Sequence, residues 1–396
     1  MQLVITLCFW VCLLEVAYAY AIYPVVIWIC ARIFGRVKVV ATEPAQWPSV
    51  TFLMAAYNEA DVIAETIRGV LNVDYPADRF EIVVGSDGSS DQTVAIATEV
   101  GGDRIRVFDY PQRRGKASVL NSSIEEITSE ILVLSDANTQ IDRQAVRCLL
   151  RWFGDPTVGA VCGRLVLTDP LTGSNADGLY WKYETFLKVC EARLDALLGA
   201  NGAIYAIRRD LYTPIPPGTI VDDFVIPLLA KQRTGCRILY ESAAIAREET
   251  PADVSAEFHR RSRIGAGGFQ SIGMLWRMLD PRQGWVAFAF LSHKLLRWFC
   301  PFFLIGLLVA NLLLMLSGEP LYVGFMIAQV AFYALAGLAA LIPSRHRALK
   351  PLRLATMFTS MNAALLVGFF RWIRGRQKGV WKRTERLTPT DGASNS

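Results

Sequence analysis

Residues 49–59 read SVTFLMAAYNE, residues 81–91 read EIVVGSDGSSD, and residues 131–138 read ILVLSDAN. Each stretch begins as a short apolar run rich in branched side chains and ends in polar or acidic residues. Such runs, bounded by turn residues, are typical of strands that are buried on both faces. A fourth run, RIRVF at residues 104–108, has the same character. The pattern predicts a buried sheet at the centre of the fold.

The segments between these runs (residues 60–71, 91–100 and 116–127) repeat their apolar residues with helical spacing. Buried strands that alternate with helices indicate a mostly parallel sheet covered by helices on both faces. We therefore predict a Rossmann-like α/β domain over residues 48–250. In such sheets, ligands bind at the carboxyl ends of the strands, near the point where the strand order reverses.

Three of the predicted strands are followed by carboxylates, namely Glu59, Asp87 and Asp136. The neighbouring Asp91 is explained as the N-cap of the next helix, but this explanation does not extend to the other three. Carboxylates crowded at one edge of a sheet repel each other unless a cation or a polar ligand lies among them. The sequence therefore predicts a ligand site at this edge.

The amino-acid composition indicates which class of protein the whole chain belongs to. Of the 396 residues, 53% are hydrophobic and only 19% are charged, and the mean hydropathy is +0.30. Long uncharged runs at both ends enclose a middle of ordinary polarity. These values exclude a disordered chain, a coiled coil, a collagen and a small disulfide scaffold. They also exclude a simple soluble enzyme and predict α-helical transmembrane segments.

Four apolar runs are candidate membrane helices: residues 3–30, 298–317, 321–343 and 354–370. The first has Glu15 as its only charge and is followed by basic residues, so we interpret it as an uncleaved anchor rather than a signal peptide. The second and third form a hairpin with basic flanks. The charge bias predicts an integral protein of a bacterial-type inner (cytoplasmic) membrane, with the N-terminus outside and the α/β domain in the cytoplasm.

The fourth run contains a polar TSMN patch at residues 359–362 and precedes a strongly basic tail. A spanning helix would place that tail outside, against the positive-inside rule. We therefore favour an interfacial or re-entrant helix here, with the tail in the cytoplasm. Much of the net charge of +5 lies in juxtamembrane residues, as expected for contact with membrane lipids, and the sequence shows no recognition element for nucleic acid.

The predicted domain organisation follows these changes of composition. Uncharged runs alternate with segments of ordinary polarity, and each change marks a boundary. The five parts are an N-terminal transmembrane anchor (1–34), the α/β domain (48–250), interfacial helices with an Arg-rich motif (251–295), a transmembrane hairpin (296–343), and an interfacial or transmembrane helix with a basic tail (344–396).

In their order along the chain, the motifs resemble those of the membrane-embedded family 2 glycosyltransferases, which have a GT-A fold and include polysaccharide synthases of the chitin, cellulose, hyaluronan and poly-GlcNAc type. The resemblance covers nearly the whole chain and implies an inverting enzyme with a UDP-sugar as donor. It implies that Tyr57, Glu59 and Asp87 hold the uridine, with Asp87 accepting a hydrogen bond from the base. Lys116, in the sequence RGK, matches the element that approaches the nucleotide and the donor.

The same resemblance implies a metal site. Asp136 and Asn138 correspond to the D-x-D motif, with asparagine in place of the second aspartate. An amide oxygen can still ligate Mg²⁺ or Mn²⁺, but it adds no charge, so we expect a lower metal affinity.

Two consecutive carboxylates, Asp222 and Asp223, correspond to the family's base motif, with Asp223 as the general base and Asp222 as its acidic neighbour. The alternative interpretation is a pair of surface carboxylates in a loop. The sequence GANG at residues 199–202 resembles the acceptor-side loop and fits an ordinary turn equally well.

The next motif departs from the family pattern. Membrane polysaccharide synthases carry Q-x-x-R-W, and the aligned stretch here is RRSRI at residues 260–264. Arg261 and Arg263 remain for binding pyrophosphate, whereas Arg260 and Ile264 replace the glutamine and the tryptophan. The missing tryptophan weakens the case for long processive synthesis. A basic helix lying on the membrane accounts for the same arginines.

The resemblance implies transfer of a sugar from a UDP-sugar to an acceptor hydroxyl in the assembly of a cell-surface polysaccharide. It also allows partner subunits for export or polymerisation. Single transfer to a lipid acceptor, a polyprenyl phosphate or a glycolipid, is an alternative, favoured by an amphipathic region at residues 271–291. A non-catalytic nucleotide-sugar-binding subunit of an export complex is the alternative from another class.

Overall fold

A computed structural model describes residues 1–36, 41, 43–168, 178–250, 254–341 and 350–376. The described residues pack as two compact units. The helical unit comprises Met1–Val26, Val254–Phe269 and the described part of Phe290–Gln377. The sheet unit comprises the described parts of Ile27–Asp253 together with Gln270–Ala289. The predicted basic tail lies, from residue 377 onward, outside the described residues.

The regular elements have the following bounds. The strands are β1 (Val50–Ala56), β2 (Phe80–Asp87), β3 (Ile105–Tyr110), β4 (Ile131–Asp136), β5 (Gln140–Ile141), β6 (Val158–Thr168), β7 (Tyr205–Arg208) and β8 (Arg237–Glu249). The helices are α1 (Gln2–Ala17), α2 (Tyr23–Ile33), α3 (Ile63–Leu71), α4 (Thr93–Gly101), α5 (Lys116–Glu125), α6 (Ala145–Leu150), α7 (Leu179–Arg193), α8 (Asp222–Thr234), α9 (Val254–Leu275), α10 (Trp285–Ala289), α11 (Leu296–Met315), α12 (Pro320–Leu341) and α13 (Lys350–Ile373).

The sheet unit is built on one eight-stranded sheet in the order β3-β2-β1-β4-β7-β6-β8-β5. The strands β3, β2, β1 and β4 are parallel, β7 is antiparallel to both β4 and β6, and β6 is parallel to β8. The predicted Rossmann-like, mostly parallel α/β sheet is therefore confirmed. Two strands run antiparallel to the rest: β7 in the middle of the sheet and β5 at its edge beside β8.

The hydrophobic core explains why strands in the first half of the sheet have apolar sequences that could be recognised. Every residue of β1 is buried, and the side chains of one of its faces (Val50, Phe52, Met54 and Ala56) pack in one apolar cluster with side chains of β2, β4, α3 and α6. In the register of the sheet, Ala55 of β1 lies beside Asp136 of β4, and Ala56 lies beside Ser86 of β2. The carboxyl ends of these strands therefore meet at one edge, as predicted.

The helical unit contains most of the apolar helices. Among the described residues, four helical stretches are long and apolar enough, by length and composition, to cross a membrane: Gln2–Ile33, Trp285–Met315, Pro320–Ala340 and Leu352–Ile373. The first consists of α1, a π-helical turn and α2. The predicted apolar helical segments are thus confirmed as candidate spans.

Close contacts hold this unit together. The ring of Phe9 lies 5.2 Å, between centroids, from those of both Tyr322 and Phe325. A side chain added at Gly368 of α13 would lie 2.6 Å from the carbonyl oxygen of Ser262, so glycine permits α9 and α13 to pack at close range. The last apolar run, for which the sequence favoured an interfacial or re-entrant placement, forms one uninterrupted helix, α13.

Candidate active site

The centre of the site is an ion cluster at the carboxyl edge of the sheet. Lys116, the first residue of α5, extends its Nζ to 2.7 Å from Oδ1 of Asp136 and to 3.0 Å from Oδ2 of Asp222. Burial lowers the pKa of Lys116, but its attraction to Asp136 and Asp222 outweighs this effect and raises the pKa above its ordinary value. Lys116 is therefore a fixed positive charge between two carboxylates.

Asp223 lies next to this cluster, in the first turn of α8. Its Oδ1 accepts a hydrogen bond from the backbone N–H of Phe224 at 3.0 Å. Burial and the negative charge of Asp222 raise the pKa of Asp223 from 3.8 to about 6, although Lys116 acts in the opposite direction. A carboxylate with such a pKa is ionised at neutral pH and accepts a proton more readily than an ordinary aspartate, which suits a general base.

The GANG loop (residues 199–202) makes backbone hydrogen bonds to both Asp136 and Asp223. The N–H of Ala200 donates to the backbone carbonyl of Asp223 at 3.0 Å, and the N–H of Asp136 donates to the carbonyl of Gly202 at 3.1 Å. Gly199 has a φ of +77°, a conformation that favours glycine. The loop that the sequence left open between an acceptor-side element and an ordinary turn thus contacts both Asp136 and Asp223.

Asp136 is the last residue of β4, and Asn138 lies in the turn that follows it. A Cβ at Gly202 would lie 2.7 Å from Oδ2 of Asp136, so the glycine leaves this oxygen open on one side. Across the described residues, no group of three or more His, Cys, Asp or Glu side chains suits a metal ion. A carboxylate and an amide supply oxygen ligands of the kind that Mg²⁺ and Mn²⁺ prefer, so the chemistry of these side chains suits such an ion, and the metal role of Asp136 and Asn138 stays a prediction.

Asp87, at the end of β2, is completely buried. Its carboxylate accepts hydrogen bonds from the N–H groups of Arg114, at 2.6 Å, and of Gly115, at 2.9 and 3.1 Å. These bonds fix the turn that places Lys116 at the start of α5. The observed role of Asp87 is thus to position this turn, and its predicted contact with a base stays a prediction.

The residues after β1 line the same edge. The guanidinium of Arg113 lies over the ring of Tyr57, with 3.6 Å between its Cζ and the ring centroid. Glu59 is buried, and its N–H donates to Oγ1 of Thr93 at 2.8 Å. Asn58, in the left-handed region, accepts a hydrogen bond from the N–H of Ser90 at 2.8 Å and ties this turn to the one after β2. The aromatic and cationic surface suits a planar base and phosphates.

Arg261 and Arg263, the two predicted pyrophosphate-binding arginines, belong to the helical unit. Both lie on α9, within the part assigned to the helical unit. Nε of Arg261 lies 2.6 Å from Oε1 of Glu257, and Arg260 contacts the same carboxylate at 2.8 Å. The roles of Arg261 and Arg263 toward the donor stay predictions.

Comparisons with known proteins identify the family of the chain. The glycosyl transferase family 2 profile matches residues 51–210, and the glycosyl transferase family group 2 profile matches residues 131–342, which is more than half of the chain. The chain belongs to glycosyl transferase family group 2. The resemblance seen in the sequence motifs is therefore confirmed.

Two curated relatives are poly-beta-1,6-N-acetyl-D-glucosamine synthases. The chain is 29% identical over 234 residues to a poly-beta-1,6-N-acetyl-D-glucosamine synthase of Staphylococcus aureus (strain MSSA476), covering 56% of this chain and 55% of that protein. It is 34% identical over 155 residues to the synthase of the same name from Staphylococcus epidermidis, covering 36% and 37% of the two chains. The chain thus spans about half, or less, of the curated relatives it matches.

A solved structure supports the family fold. A mannosyltransferase from Pyrobaculum calidifontis, in complex with GDP-Man and Mn²⁺, superposes with a TM-score of 0.73 at 23% identity, covering 93% of this chain and 99% of the other. At this identity, the likeness establishes the fold. The GT-A fold predicted for this family group 2 member is thereby confirmed.

Proposed function

We propose that the chain is a membrane-bound inverting glycosyltransferase that moves a sugar from a UDP-sugar to a hydroxyl of a carbohydrate acceptor during assembly of a cell-surface polysaccharide. The observation that carries the proposal is the cluster of Lys116, Asp136 and Asp222 beside Asp223, a carboxylate with a raised pKa. It combines an ammonium group, and carboxylates that favour a divalent cation beside a diphosphate, with a base for a hydroxyl. The names of the relatives make an activated N-acetylglucosamine the first donor to test.

In the proposed reaction, the acceptor hydroxyl attacks the anomeric carbon from the face opposite the leaving UDP. Asp223 removes the proton of the hydroxyl as the new bond forms, and Lys116 stabilises negative charge on the departing diphosphate. A divalent cation, held by Asp136 and Asn138, would neutralise more of that charge. A single displacement inverts the anomeric centre, so an α-linked donor gives a β-linked product.

The proposed topology follows the charge distribution along the chain. We place the sheet unit in the cytoplasm, because nucleotide sugars are found there. The positive-inside rule also places the basic residues that flank the apolar helices on that side of the membrane. The same proposal includes the division of the chain into the five predicted parts. It also includes the pyrophosphate role of Arg261 and Arg263 and the partner subunits for export or polymerisation. Single transfer to a lipid acceptor is the second candidate, since Ile264 stands where the polysaccharide synthases have tryptophan.

Release of UDP by the purified, detergent-solubilised protein tests the proposal. UDP-GlcNAc, UDP-glucose, UDP-galactose and UDP-glucuronate are supplied with Mn²⁺ or Mg²⁺, with and without membrane lipid extract. We expect release from one donor, abolished by chelation of the metal. A requirement for the lipid extract would support the lipid acceptor instead. Binding of UDP without release from any donor would favour the non-catalytic subunit.

The pKa of Asp223 predicts the pH dependence of the reaction. Because the base must be deprotonated, kcat/KM for the donor should fall as the pH drops through about 6, instead of near the ordinary value of 3.8. Asp222→Asn removes a negative charge that raises this pKa, so the acidic limb should move to lower pH. The measurement is the pH profile of both proteins, and a limb that stays in place would contradict this assignment.

Gly202→Ala should weaken metal activation without unfolding the protein. The added Cβ would lie 2.7 Å from Oδ2 of Asp136, so the carboxylate must turn away from its position. We expect the Mn²⁺ concentration for half-maximal activity to rise by about 10-fold, as for changes that misorient a metal ligand. Gly154→Ala is the matched control, because a Cβ there meets no atom within 4 Å. Equal metal requirements in both variants would contradict the metal site.

A further inference from the structure

The segment before the base has no regular secondary structure. Residues 212–221, here called the pre-base segment, lead from the end of β7 to α8, whose first two residues are Asp222 and Asp223. The position of both carboxylates therefore depends on what holds this segment. Two side-chain amides do so, one near each end.

The first amide is Asn121 of α5. Its Nδ2 donates to the carbonyl of Ile215 at 2.8 Å, and its Oδ1 accepts from the N–H of the same residue at 3.1 Å. The hydroxyl of Tyr212 donates to the same Oδ1 at 2.6 Å. One side chain thus satisfies both backbone groups of Ile215, which is buried.

The second amide is Gln270 of α9, which lies in the part of that helix assigned to the sheet unit. Its Oε1 accepts from the N–H of Ile220 at 3.0 Å, and its Nε2 donates to the carbonyl of Gly218 at 3.1 Å. Gly218 has a φ of +82°, so this end of the segment has a conformation that favours glycine. Gln270 thus fixes Gly218 and Ile220, on either side of Thr219, just before Val221 and the base.

We propose that Asn121 and Gln270 are positioning residues that hold Asp222 and Asp223 in register with Lys116. Lys116 and Asn121 lie on the same helix, so α5 carries both the cation that contacts Asp222 and the amide that anchors the segment leading to it. The inference rests on the proposed function, because its consequence is the geometry of a general base. A base displaced by about 1 Å loses about 10²-fold in rate.

The kinetic test uses Asn121→Ala and Gln270→Ala. We expect kcat to fall by about 10- to 100-fold in each, because the base is misplaced. The KM for the nucleotide sugar should stay within about threefold, because neither residue belongs to the proposed donor site. Tyr75→Phe is the matched control, since it also removes one buried hydrogen bond, that from the Tyr75 hydroxyl to the Pro48 carbonyl at 2.7 Å, but at the other end of β1. It should leave kcat unchanged.

Combination with Asp223→Asn separates positioning from general damage. If the two amides act through the base, adding Asn121→Ala or Gln270→Ala to Asp223→Asn should cost little further activity. If the fold-loss of activity in a double variant equals the product of the two single fold-losses, the inference is overturned. Single variants with the kcat of the wild type would overturn it as well.

Hydrogen exchange provides a test that does not need turnover. The N–H groups of Ile215 and Ile220 donate to the two amides, so their exchange should speed up in Asn121→Ala and Gln270→Ala, respectively, and stay unchanged in Tyr75→Phe. Unchanged exchange within residues 212–221 would overturn the inference. A wild-type protein that turns over no donor would contradict the proposed function alone, because the exchange experiment still decides whether the amides hold the segment.

Discussion

Asp223→Asn is expected to lower turnover by about 10²–10⁴-fold while UDP binding is retained, because the change removes the general base and keeps the shape of the side chain. The measurement is the rate of UDP release at saturating donor and metal, together with the dissociation constant of UDP. Retained binding distinguishes loss of the base from loss of the site.

The stability of the same variant is a second readout. Folding raises the pKa of Asp223, so the ionised carboxylate is less favourable in the folded chain than in the unfolded chain above pH 6. Replacement by a neutral amide should therefore leave the unfolding temperature at pH 8 unchanged or higher. Asp103→Asn, at an exposed turn, is the matched control and should keep full activity. Near-wild-type turnover of Asp223→Asn would contradict the assignment of the base.

Asp136→Ala is expected to lower turnover by about 10²-fold or more, because stabilisation of a leaving diphosphate by a metal ion amounts to several kcal/mol. The variant also removes the carboxylate that lies 2.7 Å from Nζ of Lys116, so this ammonium keeps only its contact with Asp222. Saturating Mn²⁺ should not restore the rate. The measurement is turnover as a function of the metal concentration in wild type and variant.

Two results would contradict the role of Asp136. One is full recovery of Asp136→Ala at high Mn²⁺, which would show that the carboxylate is not a required ligand. The other is wild-type activity that survives complete chelation, which would show that Lys116 suffices without a metal. Asp103→Ala again serves as the control for removal of a carboxylate at a distance from the cluster.

The first half of the sheet could be predicted because its information is local. The strands β1, β2 and β4 are apolar runs bounded by turn residues, and their polar ends identify the edge where ligands bind in parallel sheets. The strand predicted at residues 104–108 also forms, as β3, but the prediction that it is buried was wrong: β3 is an edge strand with no buried residue, and it carries Arg106 and Asp109. The predicted runs overlap the observed strands closely, and Asp87 and Asp136 are indeed the last residues of β2 and β4. Buried strands that alternate with helices leave few other arrangements.

The second half could not be predicted in the same way. The long strands β6 and β8 contain charged residues such as Arg164 and Glu241, so they lack a continuous apolar run. Glu241 is buried because Arg151 lies 2.7 Å from it, a partner that is distant in sequence. Contacts of this kind leave no signal in local periodicity.

The candidate site, too, could be predicted only in part: single residues could be, but their contacts could not. The sequence motifs identified Lys116, Asp136, Asp222 and Asp223 singly, through the family resemblance, but not that one ammonium joins two of these carboxylates. Asn121 and Gln270 were missed altogether, since an amide that binds irregular backbone has no characteristic spacing. The family resemblance implied contact of Asp87 with the base, which stays a prediction, but it gave no sign of the hydrogen bonds by which Asp87 holds the turn before α5.

The anomeric configuration of the product tests the central claim most directly. Purified wild-type protein is incubated with the donor that supports UDP release, a divalent metal and an acceptor, and the anomeric proton of the transferred sugar is followed by NMR. We predict that the α-linked donor disappears and that the product is β-linked, because the acceptor hydroxyl, deprotonated by Asp223, displaces UDP in one step. An α-linked product, or no consumption of any nucleotide sugar, would contradict the account.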